Sequence, residues 1–258
     1  MANVAGLTPS TRLVPNFIRD LNAVPNMDAA MDTLMGAAES MGYRRVSYSH
    51  LSSPRLPDGR WAPLAAITRN YPANWDADWK RHGTNCPYYH ACFEGSAVLR
   101  WSRVRERREA LQSSERDCMH YLEDKQLVNG ITVPIHLPGG QFAFVTVLDS
   151  TQPSDFDELF PTPHERLYFV AHEFHDTIFR RFPSSFPKSR PYDLSSREVE
   201  CLVWAARGKT TEETAQIIDR SFETVRAHLK SSIRKLAATN RSHAIAKACW
   251  MGIIDAHN

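Results

Sequence analysis

The C-terminal quarter of the chain reads Leu194-Ser-Ser-Arg-Glu-Val-Glu-Cys-Leu202, then Gly208-Lys-Thr210, then Thr224-Val-Arg-Ala-His-Leu229. Ser195 and Glu198 form a capping box, in which the hydroxyl and the carboxylate each accept a hydrogen bond from a free amide at a helix start. Gly208 predicts the end of this helix, because glycine readily adopts the left-handed conformation found beyond a helix terminus. The pattern therefore predicts a short capped helix at the start of a C-terminal domain.

Two further helices are predicted after this glycine. Thr210 and Glu213 form a second capping box, for a brief helix at about 211–218. After a turn at 219–220, Ser221 can cap a third helix. The apolar residues of that helix recur at helical spacing and are expected to face the core: Phe222, Val225, Leu229, Ile233 and Leu236. Three short helices joined by tight turns are the layout of a helix-turn-helix domain.

The opposite face of the third helix is basic. Arg226, Lys230 and Arg234 lie four residues apart and so form one stripe. Residues 220–247 hold seven basic side chains against one acidic, whereas residues 193–219 hold three basic against six acidic. A basic stripe is often only a solvated helix face. The caps, the turn and the stripe together favour a recognition helix that meets the major groove of DNA.

The region 194–254 resembles the LuxR-type helix-turn-helix, whose usual pattern runs L-T-x-R-E-x-E-x-L, G-K/L-S/T, E-I-A, T-V-K/R-x-H-L, K-L and N-R. The matching residues are Arg197, Glu198, Glu200, Leu202, Gly208, Lys209, Thr210, Glu213, Ala215, Thr224, Val225, Arg226, His228, Leu229, Lys235, Leu236, Asn240 and Arg241. Thr214 departs from the pattern, at a position where the family usually has isoleucine. The resemblance implies a transcription factor that binds double-stranded DNA as a homodimer, on an operator with two-fold symmetry.

The same resemblance implies roles for individual residues. Thr224, Arg226 and Lys230 are expected to contact the groove, and Lys209 the DNA backbone. Arg234 continues the basic stripe and is expected to contribute to the same interface.

Length and composition indicate a second domain ahead of this one. The chain has 258 residues, of which 42% are hydrophobic, and a helix-turn-helix domain takes only about 65 residues. A regulator is then expected to carry a sensor in the remaining part. The net charge of +2 is too small for a general nucleic-acid binder, so DNA binding must rest on a local patch.

The sequence also predicts a cytoplasmic protein. No apolar run approaches the roughly 20 residues needed to span a bilayer, so no membrane partner is expected. The start Met1-Ala-Asn-Val lacks the basic and then apolar pattern of a signal peptide. Five scattered cysteines do not suggest an oxidised framework.

Residues 181–192 are predicted to form a linker. The surrounding segment Arg180-Arg-Phe-Pro-Ser-Ser-Phe-Pro-Lys-Ser-Arg-Pro191 contains three prolines and three serines, and proline cannot continue a helix. The prediction is a front domain at 1–180 and a helix-turn-helix domain at 193–258.

The front domain mixes helices and strands. Asn26 can cap a helix that ends at Gly42. Strand-like runs occupy 45–51 and 61–68, and a hairpin joins 131–137 to 142–148, while helices return at roughly 113–127 and 163–182. This order predicts an α+β chain: an N-terminal α/β/α sandwich with an antiparallel sheet, then an all-α helix-turn-helix domain. Such a sandwich can hold a small ligand between sheet and helices.

Aromatic spacing in the front domain resembles the ligand-binding domain of acyl-homoserine-lactone quorum-sensing receptors. Their signature is a Tyr, a Trp four residues later, and a Tyr or Trp four residues later again. Tyr71, Trp75 and Trp79 repeat this spacing, on what is expected to be one helix face. Later positions of the family pattern are filled by Trp101, by Ile131 in Gly130-Ile-Thr-Val-Pro-Ile, and by Thr146. An aromatic triplet at this spacing is more often ordinary core, but the attached DNA module favours a pocket.

This resemblance implies an autoinducer-binding and dimerisation domain whose ligand is an acyl-homoserine lactone or an analogue, with no other cofactor. Trp75 would donate its indole hydrogen to the lactone carbonyl, and Tyr71 its hydroxyl to the acyl carbonyl. Trp79, Trp101 and Ile131 would wall the pocket. A phosphorylated receiver domain is the main rival, but the acidic cluster and the regular strand–helix alternation of a receiver are missing from the sequence.

One position departs from the receptor pattern. The family places Asp-Pro fifteen residues before the second Trp, and that carboxylate accepts a hydrogen bond from the ligand's amide; here Cys86 and Pro87 stand there. A thiol is a weak acceptor, and an unpaired buried donor costs about 1–3 kcal/mol. Three interpretations follow: Thr146 or a shifted backbone carbonyl takes the role, the ligand is not a typical acyl-homoserine lactone, or the regulator acts without ligand.

A group of histidines and cysteines in the front domain raises the alternatives of a metal site or a catalytic thiol. His82, Cys86 and His90 are spaced by four, and Cys92 lies near them, but Gly83 and Pro87 interrupt any continuous helix. The spacing matches no standard zinc pattern. An enzyme would need Cys86 as a nucleophile beside a histidine and a third orienting group, which the sequence does not supply. We therefore expect no metal and no enzymatic activity, and we interpret these four side chains as buried lining of the pocket.

Overall fold

The structure, a computed structural model, describes residues 13–56, 58–95, 97–149, 163–186 and 193–254. Contacts divide the chain into two units. The first takes the residues up to His50, Pro63–Ile135 and Ala143–Phe186, and the second takes Leu51–Ala62, His136–Phe142 and the C-terminal region. Among the described residues, none of the helices is both long and apolar enough to cross a membrane.

The helices of the first unit surround one sheet. They are α1 Leu13–Ala23, α2 Met27–Ser40, α3 Trp75–His82, α4 Pro87–Ala91, α5 Trp101–Arg105, α6 Ser113–Asp124 and α7 Pro163–Arg181. The predicted cap of α2 is confirmed, because the Asn26 side chain accepts from the Ala29 amide at 2.9 Å. The linker at 181–192 stays a prediction: α7 continues to Arg181, and 187–192 lie outside the described residues.

The sheet has five strands in the order β2-β1-β5-β4-β3, and it is antiparallel as predicted. The strands are β1 Arg45–Leu51, β2 Ile67–Arg69, β3 Leu99–Arg100, β4 Asn129–His136 and β5 Phe142–Asp149. β4 and β5 form the predicted hairpin and lie at the centre of the sheet. The predicted strand at 61–68 is wrong over most of its length, since only Ile67 and Thr68 pair with β1.

Alternation along the strands gives the sheet two different faces. Helices α1, α2 and α7 pack together, and Tyr48 of β1 points to α7, where its ring meets Phe174 at 5.2 Å between centroids. Ser47 and Ser49, the neighbours of Tyr48, point to the opposite face and line a cavity. Helices on both faces of the sheet make the α/β/α sandwich that the sequence predicted.

A buried histidine lies between the sheet and α7. The His175 Nδ1 atom is 2.7 Å from the Tyr48 hydroxyl, and its ring stacks on His50 at 5.9 Å between centroids. Burial first, and then the neighbouring His50, lower the pKa of His175 to about 4. This histidine therefore belongs to the core of the first unit.

The C-terminal region is all helical. Its helices are α8 Ser196–Ala206, α9 Thr211–Ile217, α10 Phe222–Lys235 and α11 Arg241–Trp250. Their buried side chains form one core, which includes Leu202, Val225, Leu229 and Leu236. The prediction that Phe222 faces the core is wrong, because this residue lies at the first position of α10 and is 39% exposed.

Candidate ligand pocket and nucleic-acid interface

The first unit contains a cavity. It lies between the helices α3, α4 and α6 and the face of the sheet to which Ser47 and Ser49 point. The cavity volume is about 40 Å³, more than the roughly 10–15 Å³ that a single water molecule needs. Its walls are Ser47, Ser49, Leu64, Ala66, Tyr71, Trp75, Trp79, Cys86, Tyr88, Tyr89, Cys92, Trp101, Leu122, Leu127, Thr132, Phe144, Thr146 and Leu148. Six of the seven residues predicted to bind ligand are among them.

Ile131 is the exception. It is fully buried on β4 but does not line the cavity. Its neighbour Thr132 does line it, and successive side chains of a strand point to opposite faces, so Ile131 faces away. The structure thus corrects the expectation that Ile131 walls the pocket and puts Thr132 in its place.

Three aromatic side chains meet at one end of the cavity. Tyr71 precedes α3 rather than lying on it, and its hydroxyl donates to Ser47 Oγ at 3.1 Å. Trp75 and Trp79 are one turn apart on α3 and stack with 4.7 Å between ring centroids. Burial raises the pKa of Tyr71, so its hydroxyl stays neutral. Gly83 allows this packing, because an added Cβ would lie 3.0 Å from the Trp79 ring.

Three polar atoms of this wall are buried without a hydrogen-bond partner: Nε1 of Trp75, Nε1 of Trp79 and Oγ of Ser49. Buried polar groups are normally paired, and indole nitrogens can only donate. These three atoms therefore leave hydrogen-bonding capacity unused inside the cavity.

A chain of hydrogen bonds crosses the cavity floor. Trp101 Nε1 donates to Thr132 Oγ1 at 3.0 Å, and Thr132 Oγ1 lies 2.9 Å from Thr146 Oγ1. Gly130 lies beneath the Trp101 ring, and a Cβ there would come within 2.6 Å of it. The indole hydrogen of Trp101 is thus already used, unlike those of Trp75 and Trp79.

Cys86 lies between the short helical turn 83–85 and α4 and is buried in the wall. Its thiol is hydrogen-bonded to that of Cys118 on α6; this bond and burial raise the pKa of Cys118. Burial also raises the pKa of Cys92, whose thiol donates to the Tyr88 carbonyl at 3.1 Å. The Cys92 thiol is therefore a neutral group of the wall.

Of the four side chains interpreted as pocket lining, Cys86 and Cys92 line the cavity, whereas His82 and His90 do not and have other partners. His82 stacks on Tyr121 with 4.3 Å between centroids. His90 lies 2.8 Å from Glu115 Oε1 and 2.9 Å from the Thr84 carbonyl. As predicted, the helix is interrupted: α3 ends at His82, and α4 begins with Pro87.

In the second unit, the predicted caps position the helices. Both predicted capping boxes are present, one formed by Ser195 and Glu198 and the other by Thr210 and Glu213. In each pair, either side chain accepts a hydrogen bond from the backbone amide of the other residue. Ser221 caps α10 by accepting from the Thr224 amide at 3.2 Å. Asp219 makes the turn between α9 and α10 with a positive φ of 50°, a conformation that aspartate tolerates.

A buried ion pair joins α8 to α10. The Lys235 ammonium lies 2.9 Å from Glu198 Oε2, and the Glu198 side chain is 5% exposed. Burial opposes ionisation, but hydrogen bonds from Ser231, Ser195 and Lys235 lower the pKa of Glu198 to about 2. The angle between the two helices is therefore held by a carboxylate that also caps α8.

Thr214, the departure from the helix-turn-helix pattern, is fully buried on α9. Its hydroxyl donates to the Thr210 carbonyl at 2.8 Å. A threonine can therefore replace the usual isoleucine, because its polar atom is satisfied within the helix.

The outer face of α10 is basic. Arg226, Lys230 and Arg234 are all exposed, and Arg226 has only a 3.4 Å contact with the exposed Glu223. Thr224 is half-buried, with its hydroxyl 2.8 Å from that of Ser221. Lys209 precedes α9, and its carbonyl accepts from the Arg241 guanidinium. The structure therefore places the three stripe residues on one solvent-facing side.

Sequence reasoning missed several cavity residues. They are Ser47, Ser49, Leu64, Ala66, Tyr88, Tyr89, Leu122, Leu127, Thr132, Phe144 and Leu148. The parity of β4 could have revealed Thr132, since Gly130, two residues earlier, shares its face. For Ser47 and Ser49 the only signal was alternation with the apolar residues of β1.

Comparisons with known proteins agree with this arrangement. A family model for the autoinducer binding domain matches residues 26–178, and one for bacterial regulatory proteins of the luxR family matches residues 193–248. The transcriptional activator AhyR of Aeromonas hydrophila is 26% identical over 92% of this chain and 90% of its own length. VanR of Vibrio anguillarum is 29% identical over 93% and 96%.

A solved structure shares the fold. SdiA, known from Escherichia coli, aligns in its complex with octanoyl-rac-glycerol with a TM-score of 0.64 and 21% identity, over 98% of this chain and 99% of that one. With the family model covering more than half of the chain, this protein belongs to the LuxR-type, autoinducer-binding family of quorum-sensing transcriptional regulators.

Proposed function

We propose that this regulator binds a small acyl signal in the cavity of the first unit, and that the bound signal stabilises a homodimer whose two α10 helices read a two-fold operator. The observation that carries the proposal is the basic outer face of α10, formed by Arg226, Lys230 and Arg234, in a chain that also holds an apolar cavity with unpaired donors. We expect no enzymatic activity. We expect the protein to act in the cytoplasm, where the DNA is.

The ligand side of the proposal rests on Trp75 and Tyr71. The Trp75 indole hydrogen is unpaired and suits a lactone carbonyl, while the Tyr71 hydroxyl, now donating to Ser47, can turn to an acyl carbonyl. Trp79, Trp101, Cys86 and Thr146 complete the wall. An acyl-homoserine lactone or an analogue is the proposed class, and a ligand-bound SdiA fold holding octanoyl-rac-glycerol supports a related acyl compound.

The DNA side rests on the second unit. Thr224, Arg226, Lys230 and Arg234 are proposed to meet the major groove and its phosphates, and Lys209 the backbone at the start of α9. Two recognition helices related by two-fold symmetry match a palindromic site. Binding of ligand to the folded form alone stabilises that form, which couples signal to DNA binding.

The test is a gel shift with operator DNA and the full chain, with Arg226→Ala against Arg197→Ala. Both arginines are exposed, and each has an acidic partner three residues away, but Arg197 lies off the α10 face. We expect Arg226→Ala to abolish specific binding and Arg197→Ala to retain it, with ligand binding intact in both. Equal binding by Arg226→Ala and the unsubstituted chain would reject the proposed interface.

A second candidate is a regulator that responds to a non-lactone ligand or acts without ligand. Cys86 favours it, because a thiol stands where the family has the carboxylate that accepts from the lactone amide. Operator binding that is unaffected by any added acyl compound would support action without ligand.

A further inference from the structure

The unpaired polar groups that line the cavity are mainly hydrogen-bond donors. Among the described residues that line it, none has a charged side chain, so the wall offers no carboxylate as an acceptor. The unpaired atoms are Nε1 of Trp75, Nε1 of Trp79 and Oγ of Ser49. Two of these three can only donate. A ligand that satisfies them must therefore bring oxygen acceptors.

On the sheet side of the wall, the Ser49 hydroxyl is unpaired and can donate or accept, whereas three other hydroxyls are engaged with protein partners. Ser47 Oγ accepts from the Tyr71 hydroxyl at 3.1 Å. Thr132 Oγ1 accepts from Trp101 at 3.0 Å and lies 2.9 Å from Thr146 Oγ1. These hydroxyls are thus engaged with protein partners, and an amide hydrogen on the ligand would have to compete for them.

Cys86 occupies the position where the family has the carboxylate that accepts a hydrogen bond from the ligand's amide. Its thiol is buried in the cavity wall, and sulfur is a weak acceptor. An amide hydrogen buried against it would stay unpaired, which lowers affinity by about tenfold or more. An ester oxygen in the same place has no hydrogen to satisfy and avoids this loss.

We propose that Cys86 determines specificity, and that the ligand is an uncharged acyl compound with at least two oxygen acceptors and no amide hydrogen, such as an acyl ester. This inference rests on the proposed function, since it names the ligand class of the same cavity. Trp75 and Trp79 donate to the oxygens, and their stacking at 4.7 Å sets the two donors side by side. The apolar walls that receive the acyl chain are Leu64, Ala66, Leu122, Leu127, Phe144 and Leu148.

The test uses two compounds that differ at one atom. One is N-octanoyl-homoserine lactone, and the other is its ester analogue, in which an oxygen replaces the amide N–H. Isothermal titration calorimetry with the full unsubstituted chain measures both dissociation constants. We expect the ester to bind about tenfold or more tightly than the amide.

Two substitutions sharpen the test. Cys86→Asp supplies the missing acceptor and is expected to reverse the preference towards the amide. Cys249→Asp makes the same change at an exposed cysteine of the second unit and is expected to keep the preference of the unsubstituted chain. Trp79→Phe keeps a ring but removes a donor, and is expected to weaken ester binding by several-fold.

The unsubstituted chain decides the outcome even if Cys86→Asp fails to fold. Amide binding as tight as ester binding, or tighter, overturns the inference, and so does binding of neither compound. Tighter amide binding leaves the proposed function standing, because an acyl signal is still bound. Binding of neither compound also counts against the ligand half of the proposed function, whereas the Arg226→Ala gel shift tests the DNA half independently. Operator binding that does not depend on Arg226, with the ester preference intact, would instead overturn the DNA-binding proposal and leave the ligand class standing.

Discussion

Gly130 lies under the cavity floor, where the absence of a side chain leaves room for the Trp101 ring. An added Cβ would come 2.6 Å from both the Trp101 ring and a Leu148 methyl, far inside van der Waals contact. Gly130→Ala should therefore displace Trp101 and break its bond to Thr132. We expect a loss of about 1–3 kcal/mol in unfolding free energy, seen as a thermal midpoint lower by several degrees, together with weaker ligand binding.

Gly36→Ala is the matched control for this prediction. Gly36 lies on the exposed face of α2, with no atom within 4 Å of an added Cβ. Alanine is a better helix former, so this change should stabilise the chain by about 0.5–1 kcal/mol. If Gly130→Ala melts at the same temperature as the unsubstituted chain, the close packing of Trp101 on β4 is not what the geometry indicates.

Single residues show where sequence reasoning succeeded and where it failed. Spacing alone brought Tyr71, Trp75 and Cys86 to one cavity, because a family pattern fixes positions along the chain. It placed Ile131 on the wrong face, since a shift of one residue on a strand reverses direction. For Ser49 the sequence offered only its alternation with the apolar residues of β1, because an unpaired hydroxyl is visible only when its surroundings are known.

At the scale of helices, the Glu198–Lys235 pair makes the second unit sensitive to acid. The pKa of Glu198 is lowered from 4.5 to about 2 in the folded chain. A lowered carboxyl pKa stabilises the fold at pH values above 4.5, and this contribution is lost as the pH falls towards 2. We expect Glu198→Gln to cost about 3 kcal/mol at pH 7, and the difference from the unsubstituted chain to shrink near pH 3.

Urea unfolding of the full chain at both pH values, followed by circular dichroism, measures this difference. Glu223→Gln provides the comparison, because Glu223 is exposed and contacts only Arg226 at 3.4 Å, and exposed pairs add little. A Glu198→Gln penalty that stays constant from pH 7 to pH 3 would contradict the link between ionisation and stability.

Helices were more predictable than strands in this chain. Caps such as Asn26, Ser195 and Ser221 act on neighbouring amides, so local sequence suffices to find the starts of α2, α8 and α10. The run at 61–68 is apolar, yet its first six residues form no extended strand of the sheet, because strand pairing depends on distant partners. Phe222 follows the helical period but lies at the first position of α10, where the core does not reach.

At the scale of the whole molecule, the proposed homodimer requires a contact surface. Helix α7 exposes Tyr168, Phe169 and Phe179, with 61% of Phe169 accessible, and aromatic side chains of this kind are enriched at interfaces. We predict that Phe169→Glu converts a dimer to a monomer, because a carboxylate there would be buried without a partner. Light scattering after size-exclusion chromatography reports the mass, and a gel shift should show weaker operator binding.

Ile67→Glu is the control, since Ile67 is 38% exposed and lies on the edge strand β2 rather than on α7. It should leave the mass unchanged. A Phe169→Glu chain that elutes with the mass of the unsubstituted protein would place the dimer contact elsewhere. The sequence could propose a dimer only through its family resemblance, because no spacing in α7 marks which of its aromatic residues stay uncovered.

The grouping of tryptophans has an optical consequence. The chain contains six, and three of them, Trp75, Trp79 and Trp101, line one cavity. Trp75 and Trp79 lie 4.7 Å apart at an angle of 19°, close enough for their electronic transitions to couple. The protein thus carries its own unlabelled reporter: an arriving signal molecule changes the emission of these indoles and the shape of their ultraviolet dichroism, before any DNA is present.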